Sequence, residues 1–185
     1  MLRNSIWRSA IVIYVLTMLV FLLLQYFFKT QEFFKFSEFQ YLLATSIANG
    51  FIITSIFALV AARNLIRWNS KPDITFFKIF KLNFFPGVIA GFMSLVSVFA
   101  YFHYVDPEGI EQIKTEYLDY SLMQVEGTED YENIAEVINS PEIRETNLLS
   151  NRTFTLILGI VLFFTFSLSL MLSFLWKIRN PSVRI

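Results

Sequence analysis

Apolar residues gather along this chain in four long runs, each too continuous for the one-sided stripe of a surface helix or the alternation of a half-buried strand. The runs are Ser9 to Phe28, Phe39 to Ala62, Phe84 to Val105 and Thr153 to Trp176, and none contains Asp, Glu, Lys or Arg. A bilayer core about 30 Å thick is spanned by about 20 helical residues, and a charge at its centre costs about 2.5–3.5 kcal/mol on insertion scales. Each run satisfies both conditions, so the pattern predicts transmembrane helices at about 9–28, 39–62, 84–105 and 153–176. A basic start at Arg3 and Arg8 also suits a secretory signal, but Gln25, Tyr26, Phe27, Phe28 and Lys29 are bulky where a cleavage site needs small residues. The first helix is therefore expected to be retained.

The predicted class is all-α: an integral membrane four-helix bundle, one membrane domain over residues 1–185, with a short amphipathic helical extracytoplasmic segment between helices 3 and 4. The first connection, Lys29 to Glu38, is short enough to make its flanking helices antiparallel neighbours, and Phe33, Phe34 and Phe36 suit a turn resting on the membrane. In the second, Asn69, Ser70, Lys71, Pro72 and Asp73 break the helix ahead of a new start near Asp73. Phe77, Phe80 and Phe84 then recur at helical spacing, with Lys78 and Lys81 on the other side, which predicts an interfacial turn. The third, residues 106–152, has soluble character. Asp106 can cap a helix with Pro107 at its first position, and Ile110, Ile113, Tyr117 and Tyr120 form its stripe. Gly127 and Thr128 interrupt, Tyr131, Ile134 and Ile138 begin a second stripe, and Ser140 with Pro141 marks a third start.

Charge changes the picture by sorting the two ends. Twelve of the fifteen acidic residues lie between Asp106 and Glu145. Arg3, Arg8, Arg63, Arg67, Lys71, Lys78, Lys81, Lys177, Arg179 and Arg184 fall on one side of the predicted membrane, against Lys29, Lys35, Lys114, Arg144 and Arg152 on the other. Positive charge resists translocation, so both termini are expected in the cytoplasm of a multi-pass membrane protein. Trp7, Trp68 and Trp176 fall at the cytoplasmic helix ends and His103 near the outer end of span three, where they are expected to act as interface anchors.

Hydrophobic residues make up 55% of the chain and charged ones 16%. That is the balance of a membrane protein and not of a nucleic-acid binder. There is no cysteine, hence no disulfide or thiolate site. The acidic connection carries no D-x-D-x-D-G spacing and no histidine, so no metal is expected there. Neither a cofactor nor a catalytic residue is expected, because no constellation of nucleophile, base and acid can be assembled. Small residues provide the internal signal. Ser46, Gly50, Thr54, Ala58 and Ala62 recur every four residues in span two, Gly87 and Gly91 form G-x-x-x-G ahead of Ser94 and Ser97 in span three, and Gly159 precedes Thr165, Ser169 and Ser173 in span four. Such faces let backbones approach in a membrane, so these residues are the expected packing interior, with Asn49 donating an interhelical hydrogen bond.

The stretch Phe76, Phe77, Lys78, Ile79, Phe80, Lys81 through span three to Tyr104, Val105, Asp106 and Pro107, with the acidic helical connection running into the last span, resembles a bacterial membrane protein family, domain of unknown function 4199. The resemblance covers most of the chain. It implies four helices with a charged segment before the last and a bacterial cytoplasmic membrane, and it carries over no catalytic residue. The expected function is that of a non-enzymatic accessory or interaction protein, with the lipid bilayer and another membrane protein, or a second copy, as partners. The alternative is a small oligomeric transporter or channel without intramembrane charge.

Overall fold

The computed structural model describes residues 2–30, 40, 44–45, 47–69 and 74–179. It is helical, with no strand among the described residues. Four helices are long and apolar enough to cross a membrane. They are α1 (Leu2–Thr30), α2 (Thr54–Asn69, entered through a π-helical turn, Ala48–Ile53), α3 (Phe76–Tyr104) and the final helix, Asn151–Arg179. Between the last two lie α4 (Pro107–Val125), α5 (Tyr131–Ile138) and α6 (Pro141–Arg144), which makes the final helix α7. The phenylalanine-rich turn expected at residues 33–36 and the breaker at residues 70–73 lie outside the described residues.

α3 is central and packs along both α1 and α7, with α2 touching all three. α1 and α3 run in the same direction: Phe21 meets Tyr101 and Phe102 at ring distances of 5.2 and 5.9 Å, while both amino-terminal ends contribute to one apolar cluster. That cluster joins Ile79, Leu82 and Trp176 to Leu2, Ile6, Leu65, Trp68 and Ile74. The start of α1, the end of α2, the start of α3 and the end of α7 therefore share one end of the bundle. A second cluster, Ile13, Phe57 and Ala90 with Tyr14, Val60, Leu168 and Leu172, lies farther along it.

Two helix limits have physical causes. α2 continues past Ala62 through Arg63 and Arg67, because a long cation near a helix end can keep its head in the polar layer without ending the helix. α3 is capped by Thr75, two residues on from Asp73, and the Thr75 hydroxyl accepts from Lys78 N at 3.3 Å. A side-chain oxygen at that position satisfies one of the free amides of the first turn. From there one unbroken helix includes both the expected interfacial turn and span three. Phe77 faces outward, whereas Phe80 and Phe84 stack on each other at 5.3 Å and meet Phe166 of α7 edge-on. The aromatic row is thus largely a helix joint, since Phe76, Ile79, Leu82 and Asn83 are the residues turned to the core.

The connection folds as expected into three short helices. Asp106 stands at the cap position before Pro107, although its side chain makes no capping hydrogen bond, and a Cβ at Gly109 would strike its carboxylate. Lys114 Nζ donates to Thr146 O at 3.2 Å, and Arg144 reaches Asp119 at 3.3 Å and Asn139 at 2.9 Å, so two cations close α4, α5 and α6 into a platform. Gly127, two residues past the end of α4, has φ 81°. Nothing would lie within 4 Å of a Cβ there. The backbone alone therefore selects glycine. Gly127→Val should cost about 1–2 kcal/mol. Faster amide exchange in α5 than in the parent, with α1 and α3 unaffected, is the expected readout.

Candidate functional site

The most organised polar site in the bundle surrounds a proline. Pro86 lies inside α3 and has no N–H, so the carbonyl four residues earlier, that of Leu82, loses its helical donor. A bare carbonyl in an apolar interior is costly, and transmembrane helices tolerate proline where a neighbour restores the bond. Here the neighbour is Asn64 of α2, whose Nδ2 donates to Leu82 O at 3.3 Å. Asn64 is held in turn by Ser9 of α1: the two side chains exchange hydrogen bonds of 3.1 and 3.2 Å. Ser9, Asn64 and Leu82 are all buried.

On another side of the same turn, Asn83 reaches α7. Its Nδ2 lies 3.4 Å from Ser173 Oγ, and Ser173 donates onward to Ser169 O at 2.6 Å. The contacts of two glycines establish the register of this antiparallel pair. A Cβ on Gly87 would come within 2.5 Å of Thr165, and one on Gly91 within 2.5 Å of Val161. Continuing that register sets Asn83 opposite Ser169. Both are buried, and Asn83 Oδ1 and Ser169 Oγ have no hydrogen-bond partner among the described residues. Farther along, Tyr14 of α1 and Ser97 of α3 bond through their hydroxyls at 2.9 Å. One turn of α3 thus gathers side chains from all four long helices.

A family model described as Protein of unknown function (DUF4199) matches residues 8–177, nearly the whole chain. The chain belongs to that family. Neither the curated proteins nor the solved structures contain a match to this DUF4199 member.

The expected packing residues divide along the fold of this DUF4199 protein. Gly87, Ser94, Thr165, Ser169 and Ser173 are buried and Gly91 is half-buried, so the α3 and α7 rows do meet. Span two differs. Ser46 lies outside the described residues, Gly50 falls in the π-helical turn, Thr54 and Ala58 are half-buried, and the buried row is Phe57, Ala61 and Asn64. Steps of four rotate about 40° each, so a row from Ser46 to Ala62 winds off any one face. Asn49 is exposed and so is not the interior polar residue expected. Gly159 is a second correction: it is exposed, with nothing within 4 Å of a Cβ, and packs against no helix among the described residues.

Of the expected anchors, Trp7 is 50% exposed and Trp68 half-buried, but Trp176 is only 7% exposed and fills the apolar cluster at the shared end. His103 is exposed, its ring edge-on to Tyr104 at 4.7 Å. The residues overlooked in sequence are Ser9, Tyr14, Asn64 and Asn83. Their signal was present: Asn64 continues the Phe57 and Ala61 row, and Asn83 lies three residues before the one proline within a span.

Proposed function

We propose that this DUF4199 protein is a non-enzymatic accessory protein of the bacterial cytoplasmic membrane, with both termini cytoplasmic, that works by presenting the α4–α6 platform to another membrane protein. The observation that carries the reading is the division of labour among polar groups. Inside the bundle, Asn64, Asn83, Ser9 and Ser173 are engaged in joining helices. On the platform, closed by its own bonds through Lys114 and Arg144, large side chains face outward: Tyr117 is 55% exposed and Met123 67%, among the chain's acidic residues. Tyr and Met are favoured at recognition surfaces, since they offer broad contact area. The orientation rests on the surplus of Lys and Arg at the end where α1 begins and α7 ends.

A photoreactive residue in place of Tyr117 or Met123, activated in native membranes, should yield one discrete crosslinked protein, whereas the same residue at Leu59 on the lipid-facing side of α2 should not. Crosslinks to lipid alone from all three positions would overturn the reading. So would solute exchange by the purified protein in liposomes, which would favour a transporter.

A further inference from the structure

The hydrogen bonds around Leu82 also define a level across the bundle. Asn64 bonds both Ser9 and Leu82 O, so the residues just before each in sequence, Arg8, Arg63 and Lys81, leave three different helices near a common depth. All three are exposed. Toward the shared end the same helices add Arg3, Arg67 and Lys78, and α7 adds Lys177 and Arg179. The acidic residues among those described all lie between Asp106 and Glu145, in the connection at the opposite end. Among the described residues, then, this end carries a collar of cations and the other end carries the carboxylates.

Its depth matches a phosphate layer. From Lys81 along α3 to Tyr101 the helix rises about 30 Å, the thickness of a bilayer's hydrocarbon core. The α3–α7 register places Met171 level with Lys81. Arg152 lies about 30 Å back along α7 and closes the same slab from the other face. Just inside the collar, Ile11 (53% exposed), Leu59 (70%) and Phe85 (42%) point outward. A ligand that fits has negative charge at the cations and a hydrocarbon tail along these side chains. A soluble anion has no tail, and a zwitterionic lipid has no net charge to offer. We infer that the collar of Arg8, Arg63 and Lys81, with the cations beyond it, binds anionic glycerophospholipid, its phosphate at this level and its acyl chains against Ile11, Leu59 and Phe85.

The test uses the full-length protein in neutral detergent, titrated with phosphatidylglycerol or phosphatidylcholine and read by native mass spectrometry. Phosphatidylglycerol adducts should persist at collision energies that strip phosphatidylcholine, and should weaken as salt rises. Each of Arg8→Gln, Arg63→Gln and Lys81→Gln should lower phosphatidylglycerol affinity about fivefold, while Arg152→Gln, at the far face, should not. These side chains are exposed, so circular dichroism of the variants should match the parent. Should any variant fail to fold, the lipid comparison and salt dependence of the unaltered protein still decide. Equal retention of both lipids, undiminished phosphatidylglycerol binding by the folded variants, or displacement by soluble glycerol phosphate would each overturn the assignment.

Discussion

Asn64→Leu is expected to destabilise the bundle by about 2–3 kcal/mol, and much of that loss is expected to disappear when Pro86→Ala is introduced with it. The side chain of Asn64 performs a task the backbone of α3 cannot. With no N–H at Pro86, the Leu82 carbonyl would sit unpaired in the bundle interior. Asn64 Nδ2, at 3.3 Å, supplies the missing donor. Leucine has the same number of side-chain heavy atoms as asparagine, branched at the same carbon, but donates nothing. An interhelical hydrogen bond in a membrane contributes about 0.6–2 kcal/mol, and a buried group left without a partner costs about 1–3 kcal/mol. Ser9 also loses its partner, although its hydroxyl can turn back to a carbonyl of its own helix, which limits that part of the cost. Alanine at position 86 restores an N–H aimed at Leu82 O, so the carbonyl no longer depends on α2. The double-mutant cycle, measured by unfolding in mixed micelles, should then show a coupling of about 1 kcal/mol or more. Strict additivity would mean that the Asn64 contact contributes packing and no replacement bond.

This joint explains which parts of the architecture were legible in the sequence. A transmembrane helix is written in length and the absence of charge, both one-dimensional quantities, so four spans and a helical connection follow from counting. Capping chemistry is similarly local, which is why Pro107, Gly127 and Pro141 mark boundaries that the structure shares. The interior polar joint is different. Asn64 and Asn83 lie near span ends in sequence and look like boundary residues, whereas Asn49 sits near the middle of its apolar run and looks interior. Depth along a helix was readable, but azimuth was not, because which side of α2 faces α3 depends on how four helices pack. α7 shows the complementary case. Thr165, Ser169, Ser173 and Trp176 cover just over three turns with a net rotation of only about 20° between first and last, so the row stays on one face. All four are buried. Trp176 belongs to that row, which is why an indole expected at the headgroups fills a core.

Of the three glycines in α3 and α7, Gly87 should be the least replaceable and Gly159 the most. A Cβ at Gly87 would lie 2.5 Å from Phe57 Cε2 of α2 and 2.5 Å from Thr165 Cγ2 of α7, so it meets two helices at once. Neither neighbour has an open way out, since Phe57 belongs to the Ile13 and Ala90 cluster and Thr165 is buried. Overpacking of this kind typically costs about 1–3 kcal/mol, and Gly87→Val, which adds three carbons, should fall at the upper end. Gly91 presents a milder case, because a Cβ there would meet one side chain of one helix, that of Val161, and not two helices at once. At Gly159 a Cβ meets nothing within 4 Å. Gly159→Ala therefore adds helix propensity alone and should be neutral or stabilising by up to about 1 kcal/mol. Unfolding of the three variants in mixed micelles should rank Gly87→Val far below Gly91→Ala, and Gly91→Ala below Gly159→Ala. Relief is specific as well: Thr165→Ala removes one of the two obstructing groups and should recover part of the Gly87→Ala loss, while Ser173→Ala, two turns away on the same helix, should recover none. Equal tolerance at Gly87 and Gly159 would show that α2, α3 and α7 do not meet at that point.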